Sequence, residues 1–309
     1  MKRKFLLVVF SILFCMAFAL GMTACGPQSD FVFRQNKYGL TLVDYRGEES
    51  EITVPSTYRG SPVTEIGRGA FASNKAVTSV AIPDSVTLIQ TDAFSHCSNL
   101  ASVTIPDSVT VIGDNVFHSC TRLTSVAVGS GVTRIGDSAF YHCDSLESIT
   151  IPSGVTGIGA FAFYECGSLT SVTLPNGLTA IEQGTFTYCG SLTSVVIPDI
   201  VTSIGDNKFV RCTALSSVML GSGLKSIAPG AFLLCGSLTN ITIPQSVTSI
   251  GARAFGNTGL KSAVFENPDG WYYYDDETAQ SGTEIPFLDT PEYAASSLKV
   301  YSEYFWKRG

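Results

Sequence analysis

Nine cysteines and three histidines are the residues of this 309-residue chain best equipped for chemistry. Thiolates and imidazoles that converge can hold a metal ion, and cysteines at the right separation can pair as disulfides. A cysteine beside a histidine can act as a nucleophile. Seven of the cysteines are Cys97, Cys120, Cys143, Cys166, Cys189, Cys212 and Cys235, each 23 residues after the last. In a stacked structure that spacing forms one column whose side chains all point the same way. Stacked side chains make poor disulfide geometry, an odd number cannot pair completely, and a line is not a convergent ligand set. The column reads as buried thiols packing like small hydrophobes. His96, His118 and His142 fall loosely on one outer surface. His96 and His142 are two repeats apart, roughly 10 Å if strands stack at the usual spacing, too far to share one ion, so they read as solvated surface histidines. There is no G-x-S-x-G, H-E-x-x-H, P-loop or glycine-rich nucleotide fingerprint. The acidic run Asp275-Asp276-Glu277 has no partnering His or Ser, and Asn267-Pro268-Asp269-Gly270 reads as a turn. The sequence therefore assigns no catalytic residue, no metal and no cofactor, and reads as non-enzymatic.

The elements that position these columns follow from the same period. Phenylalanine recurs at Phe71, Phe94, Phe117, Phe140, Phe163, Phe186, Phe209, Phe232 and Phe255, and isoleucine keeps the step from Ile66 to Ile250. Within one unit, Leu100, Val103 and Ile105 have L-x-x-L-x-L spacing, and the last part alternates like a strand with one buried face. Pro106 lacks an N–H and ends the ladder. Val109 and Ile112 begin the return, and Gly113 is expected to take positive φ at the corner. A small residue such as Ala93, Ala139 or Ala231 precedes the Phe, so that the back of the coil packs closely. One such coil cannot bury its apolar face alone, and stacking on its neighbours does so.

The A-F-x-x-C signature and the I-P-x-x-V-x-x-I-G core, repeated from Ile52 to about Phe265, resemble the BspA-like (treponemal-type) leucine-rich repeats of bacterial surface proteins. The resemblance implies a β-rich solenoid: a right-handed leucine-rich-repeat coil of about nine 23-residue repeats with short parallel strands, capped at both ends. It also implies a surface-exposed or secreted protein that acts by adhesion to proteins or to other cells. The expected layout is residues 1–24 a signal peptide, 25–30 an anchor and linker, 31–62 an N-terminal β cap, 63–265 the solenoid and 266–309 a C-terminal cap. Gly39–Tyr45 and Glu51–Val54 are read as cap strands. Thr290-Pro291-Glu292 reads as a helix start with Thr at N-cap and Pro at N1. Tyr293, Ala294, Leu298 and Tyr301 are expected to face the last coil, with Trp271, Tyr272, Phe305 and Trp306 packing the cap.

Lys2, Arg3 and Lys4 precede an uncharged apolar run from Phe5 to Leu20 and then Cys25, the layout of an export signal. Met22-Thr23-Ala24-Cys25 resembles a bacterial lipobox, with Met22 standing where Leu is usual. The resemblance implies lipidation at Cys25 and membrane attachment through that anchor; the alternative is an uncleaved membrane-spanning anchor. Either puts the protein outside the cytoplasm. Without the leader the chain has 16 basic and 26 acidic side chains, a net charge of −10, which argues against nucleic acid as a partner.

Two outer surfaces are candidates for binding. On the main strand the outward columns are Ser, from Ser79 to Ser262 with Asn240 as the one exception, and Ala or Thr giving way to Val196, Met219, Thr242 and Val264. The rim between Phe and Cys carries Tyr141, Tyr164, Tyr188, Arg211, Leu233 and Leu234. The expected function is binding of proteins or glycans at the cell surface; the alternative is a structural or scaffolding envelope protein without a specific ligand. Nothing in the sequence fixes an oligomeric state.

Overall fold

The computed structural model describes residues 30–275, 282–285, 288–300 and 302–309. The expected leader, Cys25, Asp276, Glu277 and Tyr301 lie outside the described residues. Within them the chain is a β-solenoid in which each 23-residue coil contributes one rung to a front sheet and one to a back ladder. The front sheet runs through Glu51–Thr53, Ser79–Ala81, Ser102–Ile105, Ser125–Val128, Ser148–Thr150, Ser171–Thr173, Ser194–Val196 and Ser217–Met219. Asn240–Ile243 and Ser262–Phe265 pair as two further parallel rungs. Register is kept coil by coil: Ser125 lies opposite Ser102 and Ser148, and Val126 opposite Val103 and Ile149. The alternation works as expected, since Ser148 and Thr150 are exposed while Ile149 between them is buried.

Back rungs are two residues each, such as Leu88–Ile89, Val111–Ile112 and Arg134–Ile135, all parallel. The ladder narrows to a single bridge between Ile181 and Ile204 and resumes at Ser203–Ile204. Between the two layers the phenylalanine column forms one continuous stack from Phe71 to Phe255. Successive ring centroids are 4.9 to 5.5 Å apart and the planes nearly parallel, and every ring is buried. The seven cysteines form a second buried column. Each Sγ–H donates to the carbonyl of the Phe one coil earlier, at 3.0 Å for Cys97 and Phe71 and 3.2 Å for Cys143 and Phe117. Burial pushes the Cys97 and Cys235 thiols up to about 12 and the five between them up as well. They therefore pack as neutral thiols.

Exposed threonines brace the stack. Thr124, Thr170 and Thr193 hydroxyls each donate to a carbonyl one coil back, as Thr87, Thr110 and Thr133 do beside the back ladder. In the turns after the front rungs, Asp107 accepts from the Ser130 N–H and hydroxyl, and Asp199 does the same for Ser222.

Three expectations need correction. Gly113 does not adopt positive φ; a side chain there would come within 2.8 Å of the Thr91 nitrogen and 2.9 Å of the Ile89 carbonyl oxygen. Its glycine is needed for close approach of two coils, and the left-handed residues are those two before and two after each Phe, including Asp92, His96, Asn115 and Ser138. Glu51–Thr53 is a rung of the front sheet, with Ile52 in register with Val80, so the regular coil begins before residue 63. The N-terminal edge is covered on the other side by a hairpin, Phe31–Gln35 antiparallel to Leu40–Tyr45, and the tilted Tyr45 ring lies 5.3 Å from Phe71. At the C-terminal end the helix Pro291–Val300 starts where the Thr-Pro pair puts it. It buries Ala294, Ala295, Ser297 and Leu298 while Tyr293 faces outward. Phe305–Arg308 pairs antiparallel with both Ser249–Ile250 and Trp271–Tyr274, and Trp271 and Trp306 are buried over the last coil. No helix among the described residues is long and apolar enough to cross a membrane.

Candidate functional site

The front sheet holds the first candidate surface. Val196 and Met219 are opposite one another on adjacent rungs, and so are Thr242 and Val264. Val196 is 54% exposed, Met219 63% and Val264 43%, so the C-terminal half of a hydroxyl-rich face carries apolar side chains in one outward column. Elsewhere that column holds Ala or Thr, so the coil itself does not require apolar residues here. Ile200, 50% exposed, adds to the apolar surface in the turn that follows the Val196 rung.

The rim holds the second. Two columns, one and two residues after each Phe, meet at the turn, because the second residue takes the left-handed conformation. His96, Tyr188 and Arg211 have φ of 61°, 64° and 60°. Their side chains are thereby swung beside those of the neighbouring column, and the rings join one run of contacts, parallel-stacked from His118 to Tyr164, tilted at His96 and edge-on at Tyr188. His96 and His118 have centroids 5.1 Å apart, His118 and Tyr141 4.7 Å, Tyr141 and Tyr164 4.8 Å, and Tyr164 and Tyr188 5.4 Å. The Arg211 guanidinium closes the stack 5.4 Å from the Tyr188 ring centre, a cation–π contact. Phe161, itself left-handed, lies over Gly184 and meets Tyr164 edge-on at 5.8 Å.

The histidines stay at the surface as the sequence reading expects, with His96 exposed, but each also touches a neighbouring ring. His142 bridges two carboxylates, with Nδ1 3.3 Å from Asp144 and Nε2 against Glu165. His118 is half-buried, and its Nδ1 is 3.0 Å from the Ser119 hydroxyl. Burial, and then the neighbouring His96 and His142, hold its imidazole below the usual value. Burial, and then Glu165, raise the Tyr141 and Tyr164 phenols. His118, Tyr141 and Tyr164 are consequently neutral rings at neutral pH, with Glu165 beside the two phenols. Leu233 and Leu234 are half-buried, so the apolar end of this rim is less open than their type alone implies.

Tyr141, Tyr164 and Tyr188 were legible as a rim group, but their continuation through His118 and His96 was missed. The signal was present, since His118, Tyr141 and Tyr164 are spaced by 23 residues. Among the described residues no group of three or more His, Cys, Asp or Glu side chains is arranged to hold a metal ion. Two shallow hollows, of about 290 and 320 Å³, lie against the back ladder and contain none of the surface residues named above.

Stacked 23-residue coils with a parallel front sheet and a phenylalanine spine define a leucine-rich-repeat solenoid. The chain belongs to the BspA type leucine rich repeat family, whose model matches residues 50–167 and 156–269. Among solved structures it is similar to a leucine-rich repeat protein from Bacteroides ovatus, with 32% identity and a TM-score of 0.71, covering 79% of this chain and 66% of that one. It therefore spans just under two thirds of that protein's length. It is also similar to the Leucine Rich Repeat protein of T. pallidum, with 29% identity and a TM-score of 0.53, covering 69% of this chain and 90% of that one. No curated protein is similar enough to count as a match.

Proposed function

We propose that this chain is a non-catalytic recognition protein of the bacterial cell surface, lipid-anchored at Cys25, that binds a protein or glycan partner through its solenoid surface. The observation that carries the reading is the uncovered apolar column of Val196, Met219 and Val264 on the front sheet. A solvated strand needs no large apolar side chain there, and the remaining rungs carry Ala or Thr. Uncovered apolar side chains grouped on one face are characteristic of contact surfaces. The basic segment, apolar run and Cys25 support export and anchoring.

The test is to screen the full chain, purified in mild detergent, against matrix proteins, glycans and envelope fractions. It runs beside a folded variant carrying Val196→Asp, Met219→Lys and Val264→Asp. Saturable binding to a ligand, weakened at least about tenfold in the variant, is expected for a contact centred there. No binding to any class would leave a scaffolding role in its place. Cys25→Ser is expected to release the protein from the membrane fraction, and its retention there would point to an uncleaved anchor.

A further inference from the structure

The stacked rim has a feature that the fold itself does not require. The left-handed position two residues after each Phe is filled by the small Ser73, Ser119 and Asn257 in three coils and by His142, Glu165 and Leu234 in three others. Bulky side chains are strained there, yet His96, Tyr188 and Arg211 occupy it and align with His118, Tyr141 and Tyr164 of the adjoining column.

The chemistry of the strip defines what it can hold. From His118 through Tyr141 to Tyr164 the ring faces are turned toward one another, so their edges and heteroatoms point outward, while His96 is tilted at one end and Tyr188 is edge-on at the other. Among the described residues the Tyr141 and Tyr164 hydroxyls donate to no protein group, and neither is sealed from solvent. Both phenols stay protonated and His118 stays neutral at neutral pH, for the reasons given above. The centre of the strip, His118, Tyr141 and Tyr164, thus offers uncharged donors and acceptors at one ring per coil, 4.7 to 4.8 Å apart. Successive units of an extended β-linked sugar chain advance by a similar distance. Asp144 and Glu165 flank the strip, while Arg211 is already stacked on Tyr188, a balance that disfavours polyanions.

We propose that the ring stack from His96 to Tyr188 is a binding site for an uncharged glycan chain lying along the solenoid axis. It rests on the recognition reading above but uses a different face. The probes are uncharged β-1,4-linked glucose oligomers from the disaccharide to the octasaccharide, with heparin as the polyanion, titrated calorimetrically into the full chain in detergent. Affinity is expected to rise with length and level off when the sugars span the five rings. Tyr141→Phe combined with Tyr164→Phe keeps the stacking, so the fold is preserved, and removes both hydroxyls. Loss on the order of tenfold is expected for two hydrogen bonds. Oligosaccharide binding unchanged in that variant, tighter binding of heparin than of the neutral oligomers, or no oligosaccharide binding would each overturn the proposal. In the last case, a protein ligand lost on substitution of Val196, Met219 and Val264 would leave the recognition reading standing, and absence of both would end both.

Discussion

At the scale of single residues, the repeat is informative where one coil breaks it. The residue before each Phe is small in most coils, but Lys208 occupies that column and is only 6% exposed. Its stem fits because Gly205 has no side chain; a Cβ there would lie 2.6 Å from Lys208 Cε. Burial lowers the Lys208 pKa below 10.5, opposed by Glu182 and Asp206. The unfolded chain therefore binds this proton more tightly than the native one. The charged form costs stability near neutrality, and the cost is recovered as pH rises toward 10.5. Lys208→Met keeps the stem and removes the charge. It is expected to raise stability at pH 7 by about 0.5 kcal/mol, a modest figure because the amine tip reaches solvent. Urea unfolding near neutrality and again near the ordinary lysine range would check this. A gain that does not shrink at the higher pH would mean that charge is not the cause.

At the scale of the coil, two left-handed residues shape each turn around its phenylalanine. Ser138, with φ 53°, is one of them. A β-branched side chain is strongly disfavoured in that conformation, whereas glycine adopts it freely. Ser138→Val is expected to cost about 1–2 kcal/mol, and Ser138→Gly to be neutral or to gain up to about 1 kcal/mol. Equal urea midpoints for the two variants would show that the turn does not depend on this geometry. The same conformations give the rim its form, because they bring two sequence columns into one stack.

At the scale of the whole molecule, each coil touches chiefly its neighbours, so stability is a sum of coils and interfaces. Deleting Asn115–Asp137 removes one full period and joins Asp114 to Ser138 with every column intact. That variant is expected to unfold cooperatively with a loss of a few kcal/mol. Deleting Asn115–Val126 alone puts the strands out of step and is expected to prevent folding. Circular dichroism and urea unfolding of the pair would decide it, and indistinguishable behaviour would contradict nearest-neighbour stacking. Both ends are closed by non-repeating structure, the Phe31–Tyr45 hairpin at one and Trp271 and Trp306 at the other.

The sequence by itself determined the spine, the thiol column, the front-sheet alternation and the helix beginning at Pro291. In a solenoid the spatial neighbour of residue i is residue i+23, so long-range packing is written as local periodicity. Tertiary structure alone decided what periodicity does not encode. Ile52 joins the front sheet although its coil has an irregular turn. Gly113 is needed for the approach of a neighbouring backbone rather than for its own φ, and Tyr293 faces away from the coil that Ala294 and Leu298 cover. The rim stack is the clearest case: whether His96 and Tyr188 join His118, Tyr141 and Tyr164 depends on the left-handed turn that swings one column beside the next. That direction is set by backbone geometry and packing in three dimensions, to which a one-dimensional repeat is blind.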